Sequence, residues 1–124
     1  MADFVWPQSS EVSGVRVGVF AATVDKSMDV SCRDDGYAHM LMQTLAGRLA
    51  EGTAEKMHQE VRTRYWGYAP DEALSMKDLA KAAYQGIRPA VGYPSLPDQK
   101  LIFPLSELLD LKALNIKLTE NGAM

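Results

Sequence analysis

Apolar residues recur through positions 35–64 at the spacing of one helix face: Tyr37, Leu41, Leu45, Leu49, Met57 and Val61. Asp34 or Asp35 stands where an N-cap belongs, since a short acidic side chain satisfies the first free amides of a helix. The pattern predicts one long amphipathic helix, roughly 45 Å if unbroken, with Glu51, Glu55 and Lys56 toward its polar side. Gly47 and Gly52 interrupt it at about 1 kcal/mol each relative to alanine. Close packing and a kink are both open as reasons for them. Upstream, residues 15–23 alternate at period two, with Val15, Val17, Val19 and Ala21 on one face. Gly18, Phe20 and Ala22 make the other face apolar too, which predicts a strand covered on both sides. Residues 1–14 read as an irregular lead-in, and 25–33 as a polar connection holding Cys32.

Downstream of the long helix, Gly67, Pro70, Asp71 and Glu72 form a loop. Ser75 and Asp78 have the spacing of a capping box, with aspartate in place of the usual glutamate. The helix they open is expected to run to about Gln85 and to stop at Gly86. Pro89, Pro94 and Pro97 keep the next stretch extended and stiff. Leu105, Leu108, Leu109 and Lys112 follow at helical spacing, opened by Pro97 or Ser106, and Pro104 argues that the strongest part begins after it. A turn near Asn115 then leads to a short alternating strand, Ile116-Lys117-Leu118-Thr119.

Composition narrows the class. A chain of 124 residues is one domain or part of one, and 47% hydrophobic content is enough for a core. A net charge of −3 with a pI near 5.3 speaks against nucleic acid, which wants a basic face. One cysteine excludes an intramolecular disulfide and a cysteine-rich zinc site. No apolar stretch reaches about 18 residues and no signal peptide is evident, so a soluble, cytoplasmic chain without a membrane partner is expected.

The densest chemistry lies in Tyr84-Gln85-Gly86-Ile87-Arg88-Pro89-Ala90-Val91-Gly92-Tyr93-Pro94. Here one arginine sits on a backbone shaped by glycine and proline. A guanidinium on a rigid loop suits a carboxylate or phosphate, because its planar fork binds two oxygens at once. A helix-ending turn with a solvated arginine is the other reading of the same residues. His39 and His58 have no second ligand at i+4 and read as ordinary helix-surface or half-buried histidines, not a metal pair. Asp71 and Glu72 read as capping or solvated carboxylates beside Pro70, and Ser9, Ser10 and Ser13 lack a nucleophile motif. Trp66 and its flanking tyrosines read as core anchors for their loop.

That loop, with Tyr65-Trp66-Gly67-Tyr68-Ala69-Pro70-Asp71-Glu72 before it and Leu118-Thr119-Glu120-Asn121-Gly122-Ala123-Met124 after it, resembles the activation domain of cobalamin-dependent methionine synthase. The spacing between the first two motifs matches the family without a gap. Weaker matches include Ala2-Asp3-Phe4-Val5, Gly18-Val19-Phe20-Ala21, and Leu45-Ala46 with Arg48-Leu49-Ala50-Glu51. The resemblance implies that Arg88 grips the carboxylate of S-adenosylmethionine, that the backbone at Ala90 and the ring of Tyr93 line the pocket, and that Glu51 lies near the cofactor. Val91 stands where the family often has proline. Gly47 stands where it often has aspartate, which puts one interdomain contact in doubt.

The fold implied by the resemblance is α/β (α+β): a small, mostly antiparallel sheet with a long helix and one or two shorter helices. Residues 1–124 are expected to form a single domain matching the core of the family domain and lacking its upstream and downstream flanks. The implied function is a module binding S-adenosylmethionine for reductive methylation of cob(II)alamin, not catalytic alone. The implied partners are a cobalamin-binding domain or protein and a flavodoxin-type electron donor. The alternative is a docking or scaffold protein that keeps the fold without cofactor binding. A truncated sheet would leave an open edge, so a homo-oligomer is a further expectation.

Overall fold

Asp35 begins the dominant element. Its carboxylate accepts from the amides of Tyr37 and Ala38 at 3.0 and 3.1 Å, and helix α1 (Gly36–Glu60) follows. In the computed structural model, which describes residues 17–25, 27 and 34–122, α1 passes through both Gly47 and Gly52. A Cβ built at either glycine meets nothing within 4 Å, so neither marks a close approach. The helix closes in a π-helical turn, Val61–Tyr65, where the Trp66 amide donates to the Val61 carbonyl five residues back at 2.9 Å. Gly67 then takes a positive φ of 64°.

The chain forms two compact units. One is Ala22–Gln85; the other joins Met1–Ala21 to Gly86–Met124. In the first unit the capping box is present as expected: Ser75 Oγ accepts from the Asp78 amide, and the Asp78 carboxylate accepts from the Ser75 amide. The helix it opens, α2 (Met76–Ala80), is shorter than the pattern predicts. It stops at Ala82, which adopts a left-handed φ of 52° while the Ala83 amide bonds back to the Asp78 carbonyl at 3.0 Å.

In the second unit Asp98 caps a 3₁₀ turn, Gln99–Leu101, by accepting from the Lys100 amide at 3.0 Å. Helix α3 (Ile102–Ser106) continues from it and contains Pro104, rather than starting after it. Proline is tolerated there because amides in a helix's first turn have no intrahelical acceptor. Among the described residues Ile102 is the buried hydrophobe of this unit, packed against Gly122, where a built Cβ would come within 2.9 Å of its Cγ2. Gln99 Nε2 donates to the Gly122 carbonyl at 2.8 Å and ties the two segments together. Asn115, at φ 55°, makes the expected turn.

The α/β fold is not what the described residues show. They are helical and irregular, and their β-pairing is confined to an isolated antiparallel bridge between Tyr93 and Leu96. Residues 17–25 and 116–119 run without ladder partners among the described residues. Alternation says that a segment could serve as a strand, but a strand exists only where a neighbour accepts and donates along its length. The open sheet edge from which self-association is argued is therefore absent among the described residues. Residues 15 and 16 of the predicted strand, the lead-in 1–14, Cys32 and the final Ala123-Met124 lie outside the described residues.

Candidate functional site

The Arg88 loop is built by backbone chemistry. Gly86 enters it at φ 90°. The Tyr93 amide donates to the Ala90 carbonyl at 3.2 Å, closing a four-residue turn with Gly92, at φ 85°, in its third position. That is the position at which a type II turn requires positive φ. The Gly92 amide reaches the Leu96 carbonyl at 2.9 Å, and the Leu96 amide returns to the Tyr93 carbonyl at 2.8 Å. A Cβ on Gly92 would meet the movable end of the Gln99 side chain, so it is the positive φ that calls for glycine there. Arg88 and Pro89 are half-buried, while Ala90 is exposed and the Tyr93 side chain stands 62% exposed. One loop thus carries a guanidinium, a turn carbonyl and an accessible aromatic ring.

Glu51 belongs to the other unit, on an exposed face of α1, where Arg48 Nη1 donates to its Oε2 at 2.7 Å. The groove beside it is shallow and lined by α1 alone, with Leu49, Gly52, Thr53 and Met57 as its floor. The stripe Tyr37, Leu41, Leu45 and Leu49, which the pattern assigns to one apolar face, is 46–69% exposed.

The residues that α1 and its closing turn do bury are polar. Arg62 is fully enclosed, and its Nε and Nη2 each donate to a Glu72 carboxylate oxygen at 2.7 Å. Its Nη1 lies 2.8 Å from His58 Nδ1. A guanidinium only donates, so Nδ1 accepts and the His58 proton belongs on Nε2. The guanidinium carbon also sits 4.2 Å from the centroid of the Tyr84 ring, and His58 meets that ring edge-on at 4.9 Å. The Arg62 hydrogen bonds hold the Glu72 carboxyl below the usual range, and Glu72 in turn raises Arg62. Loss of solvent pushes the Tyr68 phenol up, and its hydroxyl donates to the Gln85 carbonyl at 3.3 Å.

Two sequence expectations are corrected by this cluster. Glu72 is neither a cap nor solvated: its side chain is 6% exposed, because Arg62 draws it inward. His58, expected as a helix-surface or half-buried histidine, is more deeply buried than that, at 4% exposed. The available signal was the i,i+4 spacing of His58 and Arg62, which puts both on one side of the helix, next to the apolar pair Met57 and Val61. His39 pairs with the Gln43 amide at 3.0 Å on the same helix. Among the described residues no group of three His, Cys, Asp or Glu side chains is placed to hold a metal ion. Nor is any helix among them long and apolar enough to cross a membrane.

A glycine-shaped loop presenting a half-buried arginine is the kind of feature that ligand-binding modules use. Comparison with known proteins makes the class particular. Residues 1–124 match the family described as vitamin B12 dependent methionine synthase, activation domain, and the chain belongs to that family. It is also similar to a crystal structure of the MetH reactivation domain bound to AdoHcy, at 45% identity and a TM-score of 0.69. That match covers 76% of this chain and 30% of the other, so this chain spans less than a third of the length of its structural relative.

Proposed function

We propose that this chain binds S-adenosylmethionine through the Arg88 loop and serves as the activation module for reductive methylation of cob(II)alamin in a cobalamin-dependent methionine synthase. The observation that carries this reading is the half-buried Arg88 on a loop closed by the Ala90–Tyr93 turn, in a family member similar to a domain bound to AdoHcy. The donor set fits the ligand. A guanidinium takes the methionine carboxylate through two oxygens, the backbone at Ala90 offers polar contacts, and the exposed Tyr93 ring suits a sulfonium or adenine. Glu51 is a candidate for a carboxylate that balances the positive sulfonium.

S-adenosylmethionine, when bound, supplies the methyl group. The role of this chain's own residues is to bind and orient it, since methyl transfer depends on alignment. The partners of the proposal are a cobalamin-binding domain and a flavodoxin-type electron donor, in the cytoplasm. Residues 1–124 act as a single functional domain in this reading.

Calorimetric titration of the chain with S-adenosylmethionine tests it. Saturable binding is expected, and Arg88→Ala should cost about 1.5–3 kcal/mol, the worth of a hydrogen bond to a charged group. A folded wild-type chain that shows no binding would reject the reading in favour of a docking protein that keeps the fold alone.

A further inference from the structure

Residues 119–122 meet the Arg88 loop at the side chain of Gln99, and all three lie in one compact unit. The backbone of Gln99 is fixed. It opens the 3₁₀ turn that Asp98 caps, and its carbonyl accepts from the amide of the buried Ile102. Its carboxamide then faces two ways. Nε2 donates to the Gly122 carbonyl at 2.8 Å, and Oε1 fills the space beside Gly92 that a side chain there would take. The chemistry sets that orientation, because a carbonyl only accepts and so calls for the nitrogen.

The two ends of the bridge differ. Gly122 is buried beneath Ile102, and its amide donates to the Thr119 carbonyl at 2.9 Å, so it is the firm end. Gly92 is the third residue of an exposed turn that carries the Ala90 backbone and the Tyr93 ring. The bonds from Tyr93 to Ala90, Gly92 to Leu96 and Leu96 to Tyr93 run among residues 90–96 and set the shape of that turn. The Gln99 bridge connects the shape to residue 122.

We propose that Gln99 is a positioning residue for the ligand loop, bracing the Ala90–Tyr93 turn against Gly122 through its carboxamide. This rests on the reading of the loop as the S-adenosylmethionine site, but its first test does not. Gln99→Met keeps the length of the side chain and removes the donor. Gln99→Glu keeps the length and sets a carboxylate, which only accepts, against the Gly122 carbonyl.

Hydrogen exchange of the full chain without ligand, followed by nuclear magnetic resonance, is the first readout. In Gln99→Met the amides of Gly92, Tyr93 and Leu96 should exchange roughly three- to ten-fold faster, the worth of one neutral hydrogen bond. Gln99→Glu should loosen them at least as much. The amides of Leu101 and Leu108, bonded to the Asp98 and Leu105 carbonyls in the same unit, should keep their wild-type rates. Titration with S-adenosylmethionine is the second readout. If the competent turn falls to about a third of the population, apparent affinity falls about three-fold.

Wild-type exchange at Gly92, Tyr93 and Leu96 in Gln99→Met overturns the proposal, since Gln99 would then only fill space. Equal acceleration at Leu101 and Leu108 also overturns it, as a matter of the unit's stability. So does a loosened turn with unchanged affinity. Should Gln99→Glu fail to fold, Gln99→Met decides alone. Absence of S-adenosylmethionine binding in wild type would reject the functional reading, and the exchange result would still uphold or overturn the brace.

Discussion

Glu72→Gln is the most exacting perturbation of this structure. The substitution keeps size and shape and removes one charge from a pair whose side chains are 0% and 6% exposed. The two 2.7 Å bonds to Arg62 Nε and Nη2 are charge-assisted. Glutamine can accept only one of them well, because its amide nitrogen faces a guanidinium that also only donates. Arg62 is then left charged and enclosed, without the carboxylate that takes two of its hydrogen bonds. Breaking one side of a buried pair costs about 3–5 kcal/mol, and the surviving acceptor places this case near the lower end. Small domains hold about 5–15 kcal/mol in all, so the loss should be plain in urea unfolding followed by far-ultraviolet circular dichroism.

The pH dependence supplies an independent check. The carboxyl of Glu72 is depressed below 4.5, first by the Arg62 hydrogen bonds. Its contribution is therefore fully present above that ordinary value and is lost as pH falls through the depressed one. The stability gap between wild type and variant should narrow in acid, because protonated Glu72 becomes as neutral as glutamine. Asp78, lowered by its bonds to Ser75, titrates in both proteins and cancels in the difference. A cost under about 1 kcal/mol at neutral pH is what an exposed pair gives; that result, or a gap constant with pH, would refute the reasoning.

Three further outcomes follow from the backbone. Gly52→Ala should stabilise the chain by about 1 kcal/mol in the same assay, because the site is helical and open around the new methyl. Gly92→Ala should destabilise the second unit and lower affinity for S-adenosylmethionine, since its φ of 85° disfavours a side chain and the Cβ meets Gln99; unchanged melting would contradict the turn assigned here. Val91→Pro fills the second position of that turn, where proline is favoured, and should raise stability by roughly 0.4–1 kcal/mol through the unfolded chain, with binding retained.

What the sequence made legible was whatever short-range chemistry decides. The N-cap at Asp35, the long helix, the Ser75–Asp78 box and the turn at Asn115 each depend on residues a few positions apart, and each is present. The small sheet expected from the resemblance is not found among the described residues, and the alternation in residues 15–23 and 116–119 carries no information about a partner strand. The Ala82 stop was hidden for a related reason. Alanine in a left-handed conformation is unfavourable locally, and the Ala83 amide bonding back to the Asp78 carbonyl accompanies it.

The buried ion pair was hidden most deeply. Glu72 looks solvated beside Pro70 until the turn that closes the long helix brings Arg62 to it, ten residues away in sequence. A charged pair of that kind is a weak source of net stability compared with an apolar pair of the same volume. What it supplies here is orientation: a guanidinium fixed in plane by three hydrogen bonds, with the Tyr84 ring seated on it. An apolar replacement of Arg62 and Glu72 together should therefore leave the fold as stable as before and still free the Tyr84 ring. Finding stability kept and the Tyr84 ring flipping faster by nuclear magnetic resonance in that double variant would separate the two roles of the cluster.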